Sequence, residues 1–145
     1  MKDLISLFHK HDVAYALVGG YAVNYYGYTR MTQDIDFLLL PSKENAENVM
    51  NALEEFGFGN AGIQQELFEH SGTAVHLGVE PNRIDLLTHL EGMNNNTVFN
   101  NIEQTAIEGT TVNIICRADL ILAKKTSRRL RDQADAEELE KLSGE

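Results

Sequence analysis

Apolar residues recur at two spacings along the chain, and these spacings predict helices that alternate with strands. An apolar residue at every third or fourth position is typical of an amphipathic helix. Leu4, Leu7 and Phe8 give this pattern near the start of the chain, and Ser42 is placed to cap a later helix that Gly57 ends. The predicted helices cover residues 3–11, 21–26, 43–56 and 119–142.

Short apolar runs bounded by turn residues predict the strands. They cover residues 14–18, 34–40, 73–79, 83–88 and 111–115. Glu80-Pro81-Asn82 joins two of these strands as a predicted hairpin, and the Asn-rich segment 91–101 predicts a loop. The elements together predict an α/β (α+β) fold with a small mixed sheet flanked by helices. We expect a single domain over residues 1–145.

The composition indicates a globular protein without membrane contact. Of the 145 residues, 43% are hydrophobic and 23% are charged, which is the balance of an ordinary folded domain. Charged residues interrupt the start of the chain too early for a signal peptide, and no apolar run approaches the ~20 residues of a membrane span. The single cysteine, Cys116, excludes an internal disulfide and favours a reducing compartment. We therefore expect a cytoplasmic location.

The chain is acidic overall but has one basic segment. A net charge of −10 disfavours binding to nucleic acid through its phosphates alone. Half of the 12 lysine and arginine residues nevertheless lie between positions 117 and 131: Arg117, Lys124, Lys125, Arg128, Arg129 and Arg131. This segment is either a solvated helix face with ion pairs, which is the commoner case, or a local anion site.

Two carboxylates lie on one predicted strand. Because side chains alternate along a strand, Asp34 and Asp36 share a face, with Cα atoms about 7 Å apart, while the residues between and after them point into the core. Paired carboxylates can bind hard cations such as Mg²⁺. Asp85, on strand 83–88, would join them if the two strands are neighbours. Taken alone, Asp85 is equally well explained as a solubilising residue of an edge strand.

The order of the glycine and aspartate pairs resembles the signature of the polymerase-beta-like nucleotidyltransferases: Gly19-Gly20, then thirteen residues, then Asp34-Ile35-Asp36-Phe37. The wider segment 15–39 is similar to the small AbiEii-like branch, which is related to type IV toxin–antitoxin systems. In that branch Arg and Thr precede the aspartate pair, and here these are Arg30 and Thr32. The last helix of the branch is matched at Lys124, Arg129, Arg131, Asp132 and Asp135.

The resemblance implies an enzyme that moves a nucleoside monophosphate from a nucleoside triphosphate to a hydroxyl acceptor and releases pyrophosphate. Asp34 and Asp36 would hold two Mg²⁺ ions, and Asp85 would share the ion that lowers the pKa of the acceptor hydroxyl. These three residues are therefore the predicted catalytic and metal-binding residues.

The resemblance also implies nucleotide-binding residues. Gly19 and Gly20 would let the backbone approach the phosphates closely, although glycine serves an ordinary tight turn equally well. Arg30 and Thr32 are carried over as nucleotide-binding residues from their positions before the aspartate pair.

A helical wheel of residues 119–142 adds basic residues to the predicted nucleotide site. A small or apolar stripe faces the sheet and consists of Leu120, Ala123, Ser127, Leu130 and Ala134. Lys124, Arg128 and Arg131 border this stripe, so their charged ends can reach a neighbouring cleft, whereas Lys125 and Arg129 point away.

The bordering arginines have an alternative explanation in ion pairs along the helix, Arg128 with Asp132 and Arg131 with Asp135. These pairs leave Lys124 without a local acidic partner. We therefore expect Lys124 to reach the triphosphate, and Lys124→Ala to weaken triphosphate binding with little loss of fold stability.

The acceptor and the partners stay open at this stage. The acceptor is a small molecule, a protein hydroxyl or an RNA end, and a protein partner or a homodimer is compatible with the resemblance. A nucleotide-binding module without turnover, a toxin–antitoxin module that binds a partner, and a domain with purely structural carboxylates remain as alternatives. His76 is more typical of a packed strand histidine than of a site residue. Four tyrosines could stack on a base or simply pack: Tyr21, Tyr25, Tyr26 and Tyr28.

Overall fold

A computed structural model describes residues 2–79 and 81–142. The helices are α1 (Lys2–Lys10), α2 (Gly19–Tyr25), α3 (Lys43–Leu53), α4 (Glu66–Glu69), α5 (Asn95–Asn100), α6 (Arg117–Thr126) and α7 (Leu130–Leu142). The strands are β1 (Tyr15–Val18), β2 (Ile35–Leu39), β3 (Ala74–Leu77), β4 (Ile84–Leu87), β5 (Glu103–Ile107) and β6 (Thr110–Ile114). A π-helical segment, Glu54–Phe58, continues α3. None of the helices in the described ranges is long and apolar enough to cross a membrane.

The strands form one mixed sheet in the order β3-β4-β2-β1-β6-β5. β2 runs parallel to β4 and β1 runs parallel to β6, while the other neighbours are antiparallel. This sheet with its flanking helices confirms the predicted α/β (α+β) fold. The antiparallel pairing of β3 with β4 also agrees with the predicted hairpin, although Glu80 of its turn lies outside the described residues.

The core is built on the apolar face of α1 and on the two central strands. Leu4 and Phe8 of α1 are fully buried, and every residue of β1 is buried. The rings of Phe8, Tyr15 and Phe37 contact one another with centroids 5.2–5.7 Å apart. Ile35 and Phe37 point into this core, so Asp36 between them lies on the opposite face of β2.

The segment predicted as an Asn-rich loop contains helix α5, and this prediction is wrong. The side chain of Asn94 accepts a hydrogen bond from the backbone N–H of Thr97 and so caps α5. Strand β5 follows directly and pairs with β6. Sequence patterns missed both elements because β5 is an edge strand with largely exposed residues and α5 buries only Val98.

The prediction of a single terminal helix over residues 119–142 is also wrong. Helix α6 ends at Thr126, Ser127 is extended, and α7 begins at Leu130 and packs against α6. The hydroxyl of Ser127 donates to Asp132 and accepts from the backbone N–H of Arg129. Such local bonds compete with helix formation. The predicted apolar stripe is therefore interrupted, and Leu130 is 81% exposed.

Candidate active site

Parallel pairing of β2 with β4 brings two of the predicted carboxylates together. Asp36 lies directly opposite Asp85 in the register of these strands, and their side chains are within hydrogen-bonding reach. Asp34 immediately precedes β2 and lies two residues before Asp36. The strands are thus neighbours, as the convergence of the three carboxylates requires.

The carboxyl groups of Asp36 and Asp85 have pKa values that are shifted in opposite directions. The pKa of Asp36 is raised to about 7, chiefly by burial and further by the hydrogen bond and negative charge of Asp85, while Lys124 opposes the rise. Burial also acts to raise the pKa of Asp85, but hydrogen bonds from Arg83, His76 and Asp36 outweigh it and lower that pKa. The two carboxyls therefore hold a proton on Asp36 up to near-neutral pH.

A guanidinium lies among the carboxylates. Arg83 Nε donates to Asp85 Oδ1 at 2.8 Å, and its terminal nitrogen is 3.4 Å from Asp34 Oδ2. His76 Nδ1 lies 2.6 Å from Asp85 Oδ1, and half of its side chain is exposed in the cleft. Sequence reasoning missed Arg83, although it stands two residues before Asp85 on one strand face, and it favoured a packed position for His76.

The donors of this site fit a divalent cation by their chemistry. Asp34 Oδ1 is buried and has no hydrogen-bond partner among the described residues, and carboxylate oxygens are the ligands that Mg²⁺ prefers. Within residues 2–79 and 81–142, however, no group of three or more histidine, cysteine, aspartate or glutamate side chains is arranged to hold a metal ion. In this arrangement the carboxylates of Asp34 and Asp85 are paired with Arg83 instead.

The glycine pair lies against the same carboxylates. Gly19 begins α2 with φ +68°, and a Cβ atom there would overlap the Asp36 carboxylate. A Cβ atom at Gly20 would lie 2.5 Å from Thr32 Oγ1. Both positions therefore require glycine because another side chain comes too close, and Gly19 requires it also because of its backbone conformation.

A buried network of charges connects α7 with the cleft. Asp135 is 1% exposed and accepts two hydrogen bonds from Arg30, both at 2.9 Å. Lys124 Nζ lies 3.2 Å from Asp135 Oδ2 and 2.9 Å from Asp132 Oδ1. Lys124 has no acidic partner four residues away, as expected, but it pairs with two aspartates of α7. Its partners are eight and eleven residues further along the chain, where the return of α7 places them.

The arginines of this segment also differ from the helical-wheel interpretation. Arg129, which was expected to point away, lines the cleft and pairs with Asp132 at 3.0 Å. Burial acts to raise the pKa of Asp132, but hydrogen bonds from Arg129, Ser127 and Lys124 outweigh it and hold that pKa well below its usual range. Asp132 is thus paired with Arg129 and Lys124 in place of the expected Arg128.

Two adjoining cavities contain the predicted residues. The larger one, the cleft, has a volume of about 590 Å³ and is lined by Gly20, Arg30, Thr32, Asp34, Asp36, His76, Arg83, Asp85, Lys124, Arg129, Arg131 and Asp132, among others. The smaller one, the side cavity, has a volume of about 310 Å³. Gly19 and Arg128 line the side cavity, and Asp36, Lys124 and Arg129 line both cavities.

Comparison with known proteins shows a likeness of structure. No family model matches the chain, and no curated protein matches its sequence. The structure is similar to the lincosamide antibiotic adenylyltransferase LnuA with lincomycin bound, with a TM-score of 0.55 and 16% identity over 96% of this chain and 93% of that chain. It is also similar to ANT(2'')-Ia in complex with adenylyl-2''-tobramycin, with a TM-score of 0.54 and 12% identity over 98% and 91% of the two chains. A nucleotidyltransferase-like protein from Paracoccidioides brasiliensis gives a TM-score of 0.58 and 16% identity over 96% and 71%. The chain has the nucleotidyltransferase fold.

Most residues assigned by resemblance meet in one place within this nucleotidyltransferase fold. Asp34, Asp36 and Asp85 border the cleft together with Arg30 and Lys124. The tyrosines considered for base stacking do not line either cavity: one of them, Tyr26, donates its hydroxyl proton to the backbone oxygen of Ile115. The assignment to the AbiEii-like branch rests on the sequence motifs alone.

Proposed function

We propose that the chain is a nucleotidyltransferase that moves a nucleoside monophosphate from a nucleoside triphosphate to a hydroxyl group and releases pyrophosphate. The observation that carries this proposal is the facing of Asp36 and Asp85 on parallel strands, directly beside the backbone of Gly19. The cleft is lined both by carboxylates and by the cations of Arg30 and Lys124, and this combination suits a metal-bound triphosphate. The shared fold with the adenylyltransferase LnuA supports the same reading.

Asp34, Asp36 and Asp85 would hold Mg²⁺, and by resemblance two ions. Mg²⁺ bound there would neutralise the triphosphate and lower the pKa of the acceptor hydroxyl. Two features of the site support this role: Asp34 Oδ1, which has no hydrogen-bond partner among the described residues, and the raised pKa of Asp36. Both are places where an added positive charge stabilises the ionised carboxylate. Arg83 would have to release Asp34 and Asp85 for both to become ligands.

The other residues of the cleft would bind and orient the donor. Arg30, Lys124 and Arg131 line the cleft with positive charge that would attract the phosphates. Gly19 and Gly20 let the backbone lie directly against Asp36 and Thr32 at the edge of the site. Preorganised positive groups of this kind stabilise the charge that develops on the phosphoryl oxygens during transfer.

The acceptor is a hydroxyl group of a small molecule, a protein or an RNA end. LnuA is an adenylyltransferase of lincosamide antibiotics, and the ANT(2'')-Ia complex contains adenylylated tobramycin, so a small hydroxylated molecule is the acceptor class with structural precedent. The net charge of −10 argues against binding of bulk nucleic acid without a protein partner.

The transfer assay that tests this function uses the four nucleoside triphosphates, each labelled at the α-phosphate, with Mg²⁺ and a cell extract as the source of acceptors. We expect a labelled product and pyrophosphate release with at least one triphosphate, and loss of both with Asp36→Asn. Binding of a triphosphate with neither pyrophosphate release nor a labelled product would favour the nucleotide-binding module. A protein that binds none of the triphosphates would contradict the proposal.

A further inference from the structure

The side cavity differs in character from the cleft that it adjoins. Its walls include the apolar side chains of Val18, Leu87, Leu90, Leu120 and Ala123. The cleft, in contrast, is bordered mainly by charged side chains. The volume of the side cavity, about 310 Å³, falls within the usual range for a small-molecule site.

Hydrogen bonds fix the walls of the side cavity. Thr126, at the end of α6, donates to the backbone oxygen of Glu91 at 2.9 Å, and Asn95 donates to the backbone oxygen of Thr88 at 2.9 Å. A Cβ atom at Gly92 would lie only 2.8 Å from Thr126 Oγ1. The connection between β4 and α5 is thus held directly against α6, so the cavity exists before a ligand enters.

Three cationic side chains line the side cavity together with its apolar wall. They are Lys124, Arg128 and Arg129, and Asp36, Asp132 and Glu91 also line the cavity. Asp132 is already paired with Lys124 and Arg129, and Glu91 is exposed. A ligand with an apolar ring and a negative tail therefore meets both apolar side chains and cations in this cavity.

We propose that the side cavity binds the nucleobase of the donor triphosphate while its phosphates lie in the cleft, an assignment that rests on the proposed function. Asp36 and Lys124 line both cavities, so one extended molecule can occupy the two at once. The base would pack between aliphatic side chains of β4 and α6. None of Tyr21, Tyr25, Tyr26 and Tyr28 lines the side cavity.

The test compares nucleoside triphosphates with inorganic tripolyphosphate, which has the phosphates but no base, in the presence of Mg²⁺. Ala123→Leu adds bulk to the wall of the side cavity, and Ala118→Leu adds the same bulk at an exposed position of α6. Isothermal titration should show that Ala123→Leu weakens binding of the tightest of ATP, GTP, CTP and UTP about tenfold and leaves tripolyphosphate unchanged. Ala118→Leu should change neither.

A second measurement uses the unaltered protein and so does not depend on the folding of a variant. With ¹³C-labelled leucine methyl groups, the same nucleoside triphosphate should shift the resonances of Leu90 and Leu120, and tripolyphosphate should not, because only a base carries a ring current into the cavity. Equal shifts with both ligands, or equal weakening of both by Ala123→Leu, would overturn the assignment and leave the proposed function intact. Failure of the wild type to bind either ligand would overturn the proposed function, and the assignment with it.

Discussion

Replacing Lys124 with alanine should destabilise the fold, in contrast to the expectation from sequence. Lys124 is 9% exposed and its ammonium group lies 2.9 Å from Asp132 and 3.2 Å from Asp135, which are themselves buried. Removing one partner of a buried pair leaves an uncompensated charge and typically costs 3–5 kcal/mol. Because Asp132 keeps Arg129 and Asp135 keeps Arg30, we expect a loss near the lower end, about 3 kcal/mol.

Lys125 provides the matched control on the same helix. It pairs with Glu140 at 2.9 Å, but the two side chains are 51% and 45% exposed, so Lys125→Ala should cost less than about 1 kcal/mol. Urea denaturation of the two variants measures the difference directly. Adding Asp132→Asn to Lys124→Ala should recover part of the loss, because it removes a carboxylate that the first change left short of a partner. Equal losses for the two lysines, within about 0.5 kcal/mol, would refute this account of the network.

Three further predictions concern the carboxylates and the glycine pair. Mg²⁺ should raise the melting temperature of the wild type, and Asp36→Asn should lose most of this rise. In EDTA, Asp36→Asn should be more stable than the wild type. A melting temperature of the wild type that EDTA leaves unchanged would count against the metal site. In EDTA, the free energy of unfolding of the wild type relative to that of Asp36→Asn should fall as the pH rises from 3.8 to about 7. The reason is that the pKa of Asp36 is raised to about 7 in the folded state, so that the folded protein holds an extra proton in this range. A difference between the two proteins that does not change with pH would contradict the raised pKa. Gly19→Ala should cost more than Gly62→Ala, since both have positive φ but only Gly19 has a neighbour within 4 Å; Gly62→Ala should show the strain alone, about 1 kcal/mol, in thermal or urea denaturation.

The central strands and their carboxylates were predictable because the information is local. Buried runs such as Tyr15–Val18 and Ile35–Leu39 carry their own apolar pattern, and strand alternation places Asp34 and Asp36 together. Gly19 and Gly20 were predictable for the same reason, because they directly follow the apolar run Tyr15–Val18. Sequence patterns do not show which strands are neighbours, so they place Asp85 beside Asp36 only if β2 and β4 pair. The structure shows that these two strands are parallel neighbours.

The contacts between α6 and α7 could not be read from spacing in sequence. A helical wheel assumes one uninterrupted helix. The break between α6 and α7 depends on the hydrogen bond from Ser127 to Asp132, which competes with helical hydrogen bonds, and the sequence does not show which of these bonds forms. Once α7 folds back, Lys124 finds partners eight and eleven positions away. Such pairs are invisible to a search at the three- and four-residue spacings of a single helix.

A crystal of the wild type grown with Mn²⁺ and a non-hydrolysable nucleoside triphosphate tests the central claim most directly, since Mn²⁺ replaces Mg²⁺ at oxygen ligands and gives an anomalous signal. The account predicts Mn²⁺ bound by Asp34, Asp36 and Asp85, the triphosphate beside Lys124, and Arg83 withdrawn from the carboxylates. An anomalous map without Mn²⁺ among these carboxylates, with Arg83 still bridging Asp34 and Asp85, would contradict it.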